Sequence, residues 1–547
     1  MGEFPLSSAT RRDTRLRDLA ARGFRHGLLG YGRAGVIVAA ALAAAAWGTG
    51  LEQGITAPGF PLDDTWIHLQ FARNVAEGHG FSFNAGVPSS GSTAPLWTLV
   101  LAVPLALGVG PVLSAKLLGV GLLVVAALAA AALTCRLSGS AWAGLLCGVS
   151  VAITPRMAWA GLSGMEVPLY AALVTLAMLM YVRAIDAGST AGGWAAVAGL
   201  AGWARPETFV AGGLLACAWM AGPARAAGAW RLAAGWWRPP ALFAAVTAGF
   251  FAFNLAHGGR PLPNTFYAKH YGMGTAASLA EGRMWDALFD AMRYPVNMLG
   301  DSIRWQASHD GLLFGAALVG ALALAGALGR AAPAGGRALL AVLVLSPVAK
   351  GLVAPQPPLL VHDGRYVAHL LVLGLVVCAC GVAALSRMAR PRWLVPAAAI
   401  AGLAQIGGAT VGALYTYADE VRNINDLQVR TGRWLAAHTA PDARVATNDI
   451  GAIAFFSRRF ILDTEGLVTP DAIWDKRMWR IDRFLARSQP DVVVIFPAWY
   501  PYLAQRSLGM VEVARIAAPR VIAGGDALVI YRPPWSRPGR LRADGGR

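Results

Sequence analysis

Apolar runs of near-membrane length, separated by short polar loops, fill most of this chain. They cover residues 34–50, 93–110, 113–134, 141–155, 166–184, 239–257, 309–328, 338–354, 366–385 and 394–413, with two shorter runs, 193–204 and 207–221, flanking the sequence ARPET. From about residue 414 the pattern changes, because charges return and the apolar runs shorten to strand length. RVATN, RFILD, DVVVIF and ALVIYRPP read as strands, with helical stretches such as Asn425 to His438 between them. The pattern therefore predicts a polytopic α-helical membrane domain over 34–413 and a small α/β domain over 414–535. Segment 1–33 reads as a cytoplasmic basic N-terminus, and its first thirty or so residues and the tail 536–547 read as disordered.

Charge orients the spans. Arginine clusters near the start, around Arg225 to Arg238, around Arg330 and around Arg387 mark inside loops, so the first span delivers Asp63 and Asp64 to the outer face. An odd number of crossings must then lead to the Arg225 loop, yet six runs are available. Run 93–110 is the one to drop, because Pro95 and Pro104 interrupt it; the alternative fuses 193–221 into one helix and buries Arg205 and Glu207 within the membrane. Either solution gives about eleven crossings. The first outer loop is then 51–112, and the α/β domain lies outside.

Composition agrees: of 547 residues, 56% are hydrophobic and 14% charged, too apolar for a soluble domain. The net charge of +17 is spread over loop clusters, which argues against a nucleic-acid face. The five cysteines lie in or beside apolar runs and suggest neither a disulfide framework nor a paired metal motif. GYGRAG at Gly30 to Gly35 satisfies a dinucleotide-binding pattern but follows no strand, and there is no Walker-type loop, so nothing indicates a soluble nucleotide donor. Run 34–50 reads as an uncleaved first helix rather than a signal peptide, since its basic lead is long and further spans follow.

The densest chemistry lies in DDTWIHLQFARN. As a helix it sets Asp64 and His68 four apart, Asp63 on an adjacent face and Arg73 two turns on. Sugar transfer from a lipid phosphate needs a base for the acceptor hydroxyl and cations for the departing phosphate, and such a wall offers both. The bland alternative for the acidic pair is a solvated helix start, and for His68 and His79 structural hydrogen bonding rather than metal ligation.

The stretch DDTWIHLQFARNVAEGHGFSFNAGVPSSGSTAPLW, with Pro61 and Leu62 leading into it, resembles the first outer loop of the GT-C glycosyltransferases, membrane enzymes that use polyprenyl-phosphate sugars. It is most similar to the branch holding the mycobacterial terminal arabinofuranosyltransferases. GLSGMEVPLY, ARPET, GRPLPNTFYAKHY, HDGRYVAH and VATNDIGAIAFFSRRFILDTEGLV extend the resemblance along most of the chain. It implies a catalytic role for Asp63 or Asp64, with Asp63 favoured as base and Asp64 orienting a sugar hydroxyl or binding a metal. His68 and Arg73 join the substrate wall. Glu166 stands where related enzymes carry a second-loop acid, with helix capping as the alternative. Arg205, Lys269, His270 and Arg365 are the implied phosphate contacts, against a role as interfacial snorkelling cations. Asn264, Asp363 and Tyr366 are the implied sugar-hydroxyl partners, while Asp449 and Glu465 either touch acceptor or stabilise the outer domain.

The expectation is thus a GT-C-like glycosyltransferase of a bacterial inner membrane, embedded among membrane lipids. It would move a pentofuranose such as arabinofuranose, or a hexose, from a polyprenyl-phosphate donor to a cell-envelope glycan, lipid or protein, with inversion. A divalent metal ion assisting at the phosphate is compatible with this chemistry, although no ligand set for one stands out. The rival class is a transporter or flippase of lipid-linked sugars, which would place ionisable residues near the midplane of its spans.

Overall fold

The computed structural model describes residues 8–226, 235–269, 275–280, 282–309, 311–328, 332–333, 335–353, 362–505, 508–522 and 524–541. Among these, six helices are long and apolar enough to cross a membrane: Gly30–Ile55, Pro111–Ser138, Val167–Asp186, Arg238–Gly258, Arg365–Met388 and Leu394–His438. A seventh candidate is Ala141–Ile153 with Pro155–Leu162, bent by 54° where Pro155 starts a new helix. Among the described residues six or seven helices meet this length and composition, against the eleven crossings expected. The other runs form helices Gly193–Ala204, Phe209–Ala226, Gly311–Ala325 and Gly336–Val353. At 1.5 Å per residue these reach about 18–27 Å, short of a hydrocarbon core of about 30 Å.

Run 93–110 forms the twelve-residue helix Pro95–Ala106. It buries Trp97, Thr98, Leu101 and Ala102 and leaves Leu99, Val103 and the adjoining Leu107 exposed. Of the two segments expected to be disordered, 1–7 and 542–547 lie outside the described residues, and the described parts are ordered as follows. Helix starts at Ser8 and runs unbroken to Ile55. The C-terminal end is strapped down as far as Leu541, which bridges to Thr439, while Arg537 pairs with Asp491 at 2.7 Å.

The C-terminal domain is a five-stranded sheet of β1 (Arg444–Thr447), β2 (Phe460–Asp463), β3 (Val492–Ile495), β4 (Val511–Ala517) and β5 (Ala527–Arg532), ordered β2-β1-β3-β5-β4. Strand β1 pairs in parallel with β2 and β3, and β5 runs antiparallel to β3 and β4. Four strands match the expected stretches, and the edge strand β4 is an addition to them. No linker separates the two domains, because the helix from Leu394 continues through a π turn at Asn425–Val429 to His438. The expected boundary at 413/414 falls inside this helix.

The first loop is built into the outer domain. Ile67, Phe71, Phe81 and Phe83 share one core with Leu427, Val445, Ile450, Ile453 and Ile461. Asn84 acts like an extra strand residue at the sheet edge, donating to the Ile461 carbonyl at 2.9 Å and accepting from its N–H at 2.8 Å. Burying these aromatic rings against the sheet fixes the loop helix, and with it the two aspartates.

Candidate active site

The approach to the acidic pair is pinned at several points. Glu52, 1% exposed, accepts from the Gly59 N–H at 2.8 Å and is paired with Lys116. Leu62 is extended, and helix Asp63–Ala76 starts directly after it. Thr65 donates to the Ser163 carbonyl at 2.8 Å and the Trp97 indole to that of Gly164 at 3.0 Å, joining the first loop to the second. Gly164 has φ +71°, and a Cβ there would lie 2.6 Å from Phe60 and Thr65, so glycine is required on both counts.

The two aspartates point to different places. Asp63 faces the outer domain, where Oδ2 accepts from the Gly451 N–H at 2.6 Å and Oδ1 from the Ala452 N–H at 2.7 Å. Burial, followed by the charge of Asp449, pushes the Asp63 carboxyl up, and the two amides oppose that shift. Burial likewise raises Asp449, to about 6, although it accepts from Gln428 at 2.6 Å. Asp64 instead lines a cavity of about 420 Å³, within the range of roughly 300–1,000 Å³ usual for small-molecule sites. Its Oδ2 lies 2.6 Å from Arg365 Nη2, and its side chain stays about one-third exposed.

The cavity lining combines polar groups, from Asp64, His68, Arg205, Glu207, Lys269, Lys350, Arg365 and Tyr366, with apolar ones, from Phe209, Val210, Phe250, Phe251, Leu262 and Phe266. Behind the polar groups, Glu166 is fully buried between Arg205, with which it is paired, and His68 Nε2 at 3.4 Å. Although Glu166 precedes helix Val167–Asp186, its side chain makes no cap bond. Arg205 also lies 3.4 Å from Glu207, and its guanidinium sits over the Tyr366 ring at 4.4 Å. The Tyr170 hydroxyl donates to the Arg365 carbonyl and Arg365 Nη2 contacts the Tyr366 hydroxyl at 3.3 Å, so the Asp64 partner is itself held. Burial lowers His68 to about 4, so its imidazole is neutral near pH 7. Burial would raise the Glu207 carboxyl, and Arg205 with Lys350 bring it below its usual value.

Of the residues singled out from sequence, Asp64, His68, Arg205, Lys269, Arg365 and Tyr366 meet at the cavity, with Glu166 directly behind. Arg73 lies elsewhere, donating to the Phe455 carbonyl at 2.7 Å at the seam with the outer domain. Asn264 is buried beside Ser90, and its neighbour Thr265 lines the cavity instead. His270 and the side chain of Asp363 lie outside the described residues. Glu465 accepts from Tyr500 at 2.6 Å and is paired with Lys476 within the outer domain. Sequence reasoning misses Lys350, although a lysine inside an apolar run is itself a signal of function. Phe209, Phe250 and Phe251 carry no such signal, since aromatic residues abound in membrane helices. Among the described residues, no group of three or more His, Cys, Asp or Glu side chains could hold a metal ion. The carboxylates of Asp64, Glu166 and Glu207 each face a guanidinium instead, a poor environment for a divalent cation.

The Domain of unknown function (DUF8728) matches residues 420–531, close to the limits of the outer domain. No curated protein matches the sequence. Solved structures do match the fold. ArnT from Cupriavidus metallidurans bound to undecaprenyl phosphate aligns at TM-score 0.56 and 15% identity, over 91% of this chain and 97% of that one. The oligosaccharyltransferase AglB from Archaeoglobus fulgidus, in complex with an inhibitory peptide and a dolichol-phosphate, aligns at TM-score 0.52 and 13% identity, over 84% of this chain and 69% of that one. The arabinofuranosyltransferase AftD from Mycobacteria aligns at TM-score 0.46 and 17% identity, over 90% of this chain and 41% of that one.

Proposed function

We propose that this chain, which has the fold of the GT-C membrane glycosyltransferases, moves one sugar from a polyprenyl-phosphate carrier to a hydroxyl of a cell-envelope acceptor. The observation that carries this reading is one cavity lined both by a carboxylate with a set of cations and by apolar aromatic side chains. Such a lining suits an amphipathic ligand with an anionic head and a prenyl tail. The ArnT and AglB structures hold a ligand of this class, undecaprenyl phosphate in one and dolichol-phosphate in the other.

In the proposed mechanism Asp64, rather than the Asp63 favoured from sequence, is the catalytic base. Asp64 reaches the cavity, whereas both oxygens of Asp63 are engaged by backbone amides. The acceptor oxygen attacks the anomeric carbon as its proton passes to Asp64. The bond from that carbon to the phosphate oxygen breaks, and polyprenyl phosphate leaves against Arg205, Lys269 and Arg365. A single displacement inverts the anomeric centre. Neutral His68, held between the Ser92 hydroxyl at 3.4 Å and Glu166, lines the site beside Asp64 without adding charge. Glu166 holds Arg205 and His68 in place. The prenyl chain runs along Phe209, Phe250 and Phe251 towards the bilayer. The charge distribution supports an eleven-crossing arrangement, with the site and the outer domain on the extracytoplasmic face.

The test is photo-crosslinking of the purified protein with a diazirine-bearing polyprenyl phosphate. Label is expected on the peptides containing Phe209 and Phe250–Phe251, and competition by unlabelled polyprenyl phosphate should remove it. Label spread evenly over all lipid-facing helices would contradict the reading.

A further inference from the structure

Helix Met284–His309 is not among the membrane-crossing candidates, and Asp286, Asp290, Arg293, Asp301 and Arg304 interrupt it. Its first half nevertheless exposes a continuous apolar surface. Met284, Trp285, Leu288, Phe289, Met292 and Val296 are each more than half exposed. At about 100° per residue, these six side chains span a sector of about 140° and a length of about 18 Å.

A packing face borders this sector and enters its edge at buried Pro295, about 20° round from Met284, and a polar sector lies opposite. Ala287 is buried, and the backbone at Pro295 packs so closely on helix Gly336–Val353 that a Cβ on Gly351 would lie 2.7 Å from the Pro295 nitrogen. Asp290, beside this packing face, accepts from Ser278 at 2.8 Å. Asp286 and Arg293 occupy a polar sector, Asp286 being paired with Arg283 at 2.8 Å. One helix thus has a protein face, a water face and an apolar face.

We infer that Met284–His309 lies along the membrane surface, with its Met284–Val296 stripe immersed among lipid acyl chains. Two observations select lipid as the occupant. Apolar exposure continues onto neighbouring helices that carry it in apolar sequence, at Leu318 and Leu322 of Gly311–Ala325 and at Val344 and Leu345 of Gly336–Val353. The helix also packs on Gly351, next to the cavity residues Ala349 and Lys350, which places it beside charged groups that interrupt the apolar helices, as a helix at the membrane surface requires. The inference concerns the bilayer and holds whether or not the chain transfers sugar.

The test uses the full chain in vesicles of phosphatidylethanolamine and phosphatidylglycerol, with the exposed Cys217 replaced as Cys217→Ser. Nitroxides are placed one at a time at Leu288→Cys, Met292→Cys, Asp286→Cys and Arg293→Cys, and their relaxation by oxygen and by a water-soluble nickel chelate is measured. The oxygen-to-nickel ratio should be several-fold higher at 288 and 292 than at 286 and 293. Equal ratios at all four positions would place the stripe in water and overturn the inference. Exclusion of both reagents from 288 and 292 would overturn it in favour of a protein partner or a second copy of the chain. All four positions are exposed, so substitution there leaves the packing intact.

Discussion

Replacing Asp63 by Asn separates a positioning role from a catalytic one. Both Asp63 oxygens accept backbone N–H bonds, at 2.6 and 2.7 Å, from the start of helix Gly451–Ser457. An Asn side chain keeps one acceptor and turns an N–H₂ group towards the other amide, so one hydrogen bond to a charged group is lost and two donors face each other. A hydrogen bond to a charged group contributes about 1.5–3 kcal/mol, and a loss of about 2 kcal/mol corresponds to roughly thirtyfold in a local opening equilibrium. Hydrogen exchange followed by mass spectrometry should therefore show the Gly451–Ser457 amides exchanging roughly thirtyfold faster in Asp63→Asn, with the Asp64→Asn protein unchanged there. Unaltered exchange in Asp63→Asn, together with complete loss of turnover, would refute this reasoning and restore Asp63 as the base.

Four further outcomes follow from the same geometry. Gly451→Ala places a Cβ 2.1 Å from the Asp63 carbonyl oxygen, so faster amide exchange at the seam and a lower melting temperature are expected even with Asp63 intact. Glu166→Gln removes one of the two carboxylates against buried Arg205, leaving Glu207 at 3.4 Å, so a loss of about 1.5–3 kcal/mol is expected, readable as a lower denaturation midpoint. Asp449 has a folded pKa of about 6 against an ordinary value of 3.8, so the folded state binds its proton more tightly than the unfolded state does. Its contribution to stability is then full below about pH 4 and declines as pH rises towards 6, and Asp449→Asn should flatten that part of a melting-temperature profile. His68, lowered to about 4, should contribute no inflection to the rate between pH 5 and 8, and His68→Gln should leave the shape of that profile unchanged.

Periodicity made the helical bundle and four of the five strands legible, because core strands such as VVVI are uninterrupted apolar runs. Strand β4 escaped because VEVARIA lies at the sheet edge, where six of its seven side chains are at least partly exposed. The number of crossings was less legible, since helices such as Gly193–Ala204 are apolar yet shorter than a bilayer core. Sequence spacing brought Asp64 and His68 together, because a four-residue helical offset fixes both. The same local geometry could not distinguish Asp63 from Asp64, a difference set by Gly451 and Ala452 nearly four hundred residues away. Arg73 went to the seam for a similar reason: its partner is a distant backbone carbonyl, which no spacing rule reveals. Asp64 and Arg365, 301 positions apart, meet only through the tertiary fold.

The central claim is that Asp64 deprotonates an acceptor at a site that holds a polyprenyl-phosphate sugar. Its most direct measurement is single-turnover transfer from labelled polyprenyl-phosphate pentoses and hexoses to envelope acceptors by purified protein, with donor binding measured alongside. The native chain should transfer label from at least one donor, and Asp64→Asn should bind that donor with similar affinity while transfer falls by at least a hundredfold. Transfer at the native rate by Asp64→Asn would contradict the account, and so would a native chain that binds none of these donors.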